Sequence, residues 1–220
     1  RLAAIARLDG LAVLRELLDV GTDQANEVRQ AAQQRLIGKL TQGEVSDVAL
    51  NSLLSSHAAQ LAIPIASDCV SAAQRTKALT FIDDESSLVT VVQQSRFHDT
   101  RLAAAMRLTQ HDALRSALST VRSKDKVVAK QLQQRLDSEA AAEADLIARQ
   151  HAINTTVQGL EALTDGIWTP QHGGKLLALK ERWNSFEPAE RDENESRVNQ
   201  AIASAEQALD EYQQKQQAQV

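Results

Sequence analysis

Arg101-Leu102-Ala103-Ala104-Ala105-Met106-Arg107-Leu108 repeats, after 100 residues, the stretch Arg1-Leu2-Ala3-Ala4-Ile5-Ala6-Arg7-Leu8. Apolar and small positions recur at helical spacing in both, so each reads as a short amphipathic helix. Alanine favours the helix and leaves room for a close neighbour. The arginines at the first and seventh positions are expected to flank the apolar stripe, covering it with their stems while the charge stays in water. A helix this short is marginal alone, and repetition supplies the partner it needs.

The pattern recurs. Arg29-Gln30-Ala31-Ala32-Gln33-Gln34-Arg35-Leu36 follows the first copy by 28 residues, and Ala129-Lys130-Gln131-Leu132-Gln133-Gln134-Arg135-Leu136 follows the Arg101 copy by the same interval. A weaker copy, Ala72 to Leu79, precedes Arg101 by 29 residues. The connector Leu11-Ala12-Val13-Leu14-Arg15-Glu16-Leu17-Leu18 aligns with His111-Asp112-Ala113-Leu114-Arg115-Ser116-Ala117-Leu118. The interval from Arg29 to Ala72 is 43 residues, which predicts an extra helix there. The fold class expected is all-α: HEAT-like helical repeats over 1–123, an α-solenoid of short helical pairs, then a long antiparallel, coiled-coil-like hairpin over 124–220.

Punctuation supplies the boundaries. Thr41-Gln42-Gly43-Glu44 reads as a capping box opening a helix over 44–55. Pro64, within the apolar stretch from His57 to Ala66, should kink or end a helix. A helix over 68–79 follows. An aspartate in Ile82-Asp83-Asp84 caps a helix over 85–94, and helices over 99–108 and 111–120 come next. Residues 124–158 contain neither Gly nor Pro and predict one long helix of roughly 50 Å. Leu132, Leu136, Ala140, Ala144 and Ile147, then Ile153, Val157, Leu160 and Leu163, form its stripe. Val198, Ile202, Ala205, Leu209 and Tyr212 follow 4-3-4-3 spacing, a seam of about two heptads that folds back on the long helix. Trp168 and Trp183 are expected to pack the hairpin turn.

Composition bounds the chemistry. The chain has 220 residues with 3% aromatics, suited to small-residue helix packing. It opens on Arg1 within a helical pattern and without an initiator Met, so a piece of a longer protein is expected. No signal-peptide core or run of 18 apolar residues is present. A single cysteine, Cys69, fits a reducing compartment and points to the cytoplasm. The net charge of −5 divides unevenly: residues 1–136 carry 17 Lys+Arg and 14 Asp+Glu, residues 137–220 carry 7 and 15.

Ala78 to Leu108, with Ala-Leu-Thr-Phe-Ile-Asp-Asp-Glu-Ser-Ser-Leu and Asp99-Thr100-Arg101-Leu102-Ala103-Ala104, resembles the N-terminal half of the bacterial domain-of-unknown-function 349 family, as does Arg122-Ser123-Lys124-Asp125-Lys126-Val127-Val128. The resemblance covers roughly 1–136, and continues only in style through Lys180-Glu181-Arg182-Trp183. It implies HEAT-like repeats leading into long charged helices in a bacterial protein, and it carries over no catalytic residue.

Catalytic and cofactor motifs do not appear. His57, His98, His111, His151 and His172 form no His-x-x-x-His pair and no Cys-x-x-Cys accompanies them, so no metal site is expected. His98-Asp99 and His111-Asp112 read as caps. Glu190, Asp192, Glu193 and Glu195 read as acidic residues in the first turns of a helix. There is no nucleophile elbow and no phosphate-binding glycine loop. Cys69 reads as a buried, inert thiol. Neither a cofactor nor a small-molecule substrate is indicated, and no membrane partner.

The densest basic region is 101–135, with eight positive residues against Asp112 and Asp125. Within it Arg115, Arg122, Lys124, Lys126 and Lys130 mark a ridge for contact with nucleic acid or a partner. No aromatic interleaves them, so base stacking is not indicated. Two functions follow: a non-enzymatic scaffold or adaptor that binds protein partners, or an RNA- or ribosome-associated factor using the ridge.

Overall fold

The computed structural model describes residues 5, 10–18, 26–43, 45–164 and 168–218, and every regular element among them is helical. The Arg1 copy, Ile5 apart, and the loop at Gly21 lie outside the described residues. The chain divides into two compact units, 1–138 and 139–220.

The first unit holds α1 (Leu11–Leu18), α2 (Asn26–Thr41), α3 (Asp47–Asp68), α4 (Ala72–Leu79), α5 (Glu85–Gln94), α6 (His98–Arg107), α7 (His111–Val121) and the start of α8 (Lys126–Ala162). Consecutive helices pack, as in α1–α2, α2–α3, α3–α4 and α5–α6. Alternate helices pack too: α3 on α5, α4 on α6, α5 on α7. One core joins them, including Leu14, Leu36, Leu54, Ile65, Val91, Leu108, Leu114 and, from α8, Val128, Leu132 and Leu136.

Local chemistry sets the ends. Asp84 accepts from the Ser87 amide at 2.8 Å, so the capped helix over 85–94 forms where the turn placed it. The Thr41–Glu44 capping box does not form as read. Thr41 is the last residue of α2 and its hydroxyl donates to the Gly38 carbonyl at 3.1 Å, while Ser46 caps α3. Glu44 lies outside the described residues. Gly43 turns the chain at φ 75°, a conformation glycine adopts without strain.

The helix α3 takes up the long interval between copies. It runs through Pro64 and bends instead at His57 (φ −134°, ψ 31°). Proline removes the N–H that would bond the Gln60 carbonyl. The Gln33 side-chain amide donates to that carbonyl at 3.3 Å, so a neighbouring helix replaces the lost bond.

The second unit holds the rest of α8, then α9 (Pro170–Asn184), α10 (Pro188–Arg191), a 3₁₀ turn at Asp192–Asn194 and α11 (Glu195–Gln217). Ile153, Val157, Leu160 and Leu163 of α8, Leu176 and Trp183 of α9, and Val198, Ala201 and Ala205 of α11 share one core with Trp168. The seam residues Ile202, Leu209 and Tyr212 pack against it. At Gly159 an added Cβ would stand 3.1 Å from Leu179, so the helix surfaces meet closely there.

The stripe along α8 is buried only at its two ends. Residues 137–151 are exposed without exception, Ala140, Ala144 and Ile147 among them. The reading that counted those three in the helix's apolar stripe, interrupted only near His151, is corrected. Alanine, Glu and Arg supply enough helix propensity to carry this stretch without a packed face.

Candidate partner-binding surface

The eight cations of 101–135 divide by what the backbone offers them. Arg101 donates twice to Asp125 Oδ2, at 3.0 and 2.8 Å, and once to the Ser95 carbonyl at 2.8 Å. Its side chain is 12% exposed, so it is not the wet flank expected of the repeat pattern. Arg107 donates to the Leu79 and Ile82 carbonyls beyond α4, and Arg135 to the Ala105 and Leu108 carbonyls ending α6. Helix C-termini leave carbonyls unpaired, and a guanidinium with its fork of donors satisfies two at once. These arginines fasten one helix to another.

Arg75 repeats the Arg101 arrangement. It donates to Asp99 at 2.7 Å, to Thr100 Oγ1 at 2.8 Å and to the Cys69 carbonyl at 2.9 Å, and lies over the Phe97 ring at 3.7 Å. In both cases the arginine takes a carbonyl six residues before it and an aspartate 24 residues after it. Sequence reading missed this clamp because Arg75 stands three positions further into its repeat copy than Arg101. The signal present was an Arg followed by Asp at one fixed separation.

Electrostatics follow the geometry. Burial raises the Asp125 carboxyl, but hydrogen bonds from His98 and Arg101 and the Val128 amide outweigh it and bring its pKa to about 2. Burial likewise opposes the charge on Asp99, but hydrogen bonds from Arg75 and the Thr100 amide outweigh it and hold its pKa below the usual carboxylate range. His98 Nδ1 lies 2.7 Å from Asp125 Oδ2, so His98 joins this cluster, and α6 is preceded by Phe97 without a side-chain cap. The capping reading of His98 is corrected accordingly. Cys69 is buried, its thiol facing the Leu40 carbonyl and the Gln74 side chain.

What remains outside is the ridge. Arg115, Arg122, Lys124, Lys126 and Lys130 are all exposed. Arg115 lies on α7, Arg122 and Lys124 in the turn after it, and Lys126 and Lys130 one turn apart on α8. Arg122 donates to Gln133 Oε1 at 3.1 Å and Lys124 to the Gln93 carbonyl at 2.8 Å, which tie the turn to α8 and α5. No hydrogen bond or ion pair among the described residues engages Arg115, Lys126 or Lys130. Val127, between the two lysines, is 56% exposed.

In the second unit, a cleft of about 190 Å³ lies beside the Glu161–Arg197 ion pair, and one of about 200 Å³ beside Leu146, Arg149 and Ile153. Glu190 bonds the Glu187 amide at 3.0 Å, as an acidic residue at a helix start does. Among the described residues no three His, Cys, Asp or Glu side chains group as metal ligands, and no helix is long and apolar enough to cross a membrane. No family model, no curated protein and no solved structure matches the chain.

Proposed function

We infer that the chain is a non-enzymatic, cytoplasmic scaffold that binds protein partners. In this reading its first part is a HEAT-like solenoid and its second a long helical hairpin, as the resemblance to the domain-of-unknown-function 349 family implies. The observation that carries it is the repeated arginine clamp. Arg75 and Arg101 bind equivalent partners, and Arg107 and Arg135 close successive helix ends. Such a stack needs only its neighbours for stability and leaves its outer faces for binding. Cross-linking in bacterial lysate, read by mass spectrometry, should recover defined proteins joined to exposed residues of either unit. Recovery of none, at any concentration at which the chain stays folded, overturns the reading.

A second reading, an RNA- or ribosome-associated factor, is favoured by the sorting of the cations: six of eight in 101–135 are exposed, and of these only Arg107 is spent on helix-end carbonyls. Phosphate neutralisation would make binding fall steeply with salt. Fluorescence anisotropy with structured and single-stranded RNA at low and physiological salt tests it. Charge reversal at Arg122, Lys124 and Lys126 should weaken binding to every sequence alike.

A further inference from the structure

We propose that the chain associates head to tail with a second copy of itself, the Val127 ridge of one copy seated in the Leu146–Glu193 cleft of the next. This deepens the scaffold reading and rests on it. Two exposed surfaces carry the inference, and they are complementary in charge.

The first is exposed and basic. Val127 stands out from the first turn of α8 with Lys126 beside it and Lys130 one turn on. The second is concave and acidic. Leu146, 67% exposed, Ile153 and Ala189 supply apolar walls, and Glu193 and the Arg149–Glu190 pair supply the rim. The surroundings deepen the negative field. Residues 187–195 hold five acidic side chains against Arg191, and Asp137, Glu139, Glu143 and Asp145 precede the cleft on α8. An apolar anchor inside a charged ring is how protein interfaces are commonly built. Opposite potentials favour encounter and set the register.

The two surfaces differ, so the contact is heterologous: after one such contact, one copy keeps a free cleft and the other a free ridge. Assembly then closes when the last free ridge meets the first free cleft, or continues as a filament.

The test uses the whole 220-residue chain in analytical ultracentrifugation. At about 50 mM salt the mass should rise with concentration from 24.0 kDa to multiples of it, and return to 24.0 kDa at about 500 mM as screening shortens the field. Lys126→Glu with Lys130→Glu makes both surfaces acidic. Asp145→Lys with Glu193→Lys leaves the ridge basic and reverses the charge at two positions, Glu193 on the rim of the cleft and Asp145 preceding it on α8. Each double variant should sediment as a monomer with unchanged helical circular dichroism. An equimolar mixture of the two should reassemble, because each ridge again meets an opposite cleft. Leu146→Ser should weaken assembly about tenfold, as loss of an apolar anchor does.

A native chain that stays at 24.0 kDa at low salt overturns the proposal, as do variants that assemble alone or a mixture that stays monomeric. A monomer whose ridge binds labelled RNA would give that surface to nucleic acid instead. Lysate cross-linking is read separately, so self-association fails without taking the scaffold reading with it.

Discussion

Residues 1–138 and 139–220 bury their helices by different means. In the first unit the apolar core is threaded by charge: Arg75 is 4% exposed, and Asp125 7%. In the second, the core is aliphatic with two tryptophans, and the ion pairs Arg149–Glu190, Lys180–Glu206 and Arg197–Glu161 sit at the surface. Short helices bring many ends close together, and each end exposes unpaired carbonyls. Guanidinium groups answer that need. The long helices of the second unit have few ends for their length, so side-chain packing suffices.

The largest expected effect tests that account directly. Arg75→Met keeps the stem and removes the donors. Water can resolvate Asp99, whose side chain is 59% exposed. The Cys69 and Val70 carbonyls and the buried Thr100 hydroxyl lose their donor, at about 1–3 kcal/mol for each buried group, so the substitution should cost about 3–5 kcal/mol in all. Hydrogen exchange by mass spectrometry should show faster exchange around α3, α4 and α6 and an unchanged second unit. Equal change in both units would break the comparison. Its counterpart is Leu160→Ala, at a fully buried site of the second core, with an expected cost of about 3 kcal/mol. Here the faster exchange should appear in α9 and α11.

Acid titration tests the buried charge of the first unit. The Asp125 carboxyl is depressed to about 2 in the folded chain, so its contribution is full above the ordinary carboxylate range and is lost as pH falls toward 2. That contribution is about 2 kcal/mol. Denaturant unfolding from pH 6 to pH 2, followed by exchange in the segments of the first unit, should show the loss. Asp125→Asn should reduce it, with Asp84, also held at about 2, and Asp99 carrying the remainder. If the variant retains the same acid dependence, other carboxylates of this unit carry it.

The sequence made the helices legible and left their fastening hidden. Asp84 announced a cap three residues before the amide it binds, a local event. Trp168 and Trp183 were read as packing residues, and both are buried. The exposure of Arg115, Arg122, Lys124, Lys126 and Lys130 follows from the ordinary preference of long cations for water. What failed to show was contact at a distance. Pro64 passes within α3 because Gln33 reaches Gln60, 27 residues away in sequence. Arg101 is largely covered because Asp125 and the Ser95 carbonyl converge on it, and no period in its own helix encodes that. Ala140, Ala144 and Ile147 kept the spacing of a seam yet face water, since spacing states which residues share a side and not what lies opposite.

The smallest effect belongs to the surface pairs, and its smallness is what sharpens the contrast. Arg197 donates to Glu161 Oε1 at 3.1 and 2.8 Å, a geometry as good as that of Arg101 on Asp125. Its side chain, however, is 59% exposed and that of Glu161 40%. Water already solvates both charges when the pair opens, so bringing them together gains little. Arg197→Met should cost no more than about 0.5–1 kcal/mol, with the difference vanishing as salt rises. The same substitution at Arg101, where Asp125 would be left buried and charged, should cost several times more and be insensitive to salt. Chemical denaturation of the two variants at about 50 mM and 500 mM salt compares them on one scale. Equal costs would mean that burial, rather than distance, has been given too much weight in separating the two units.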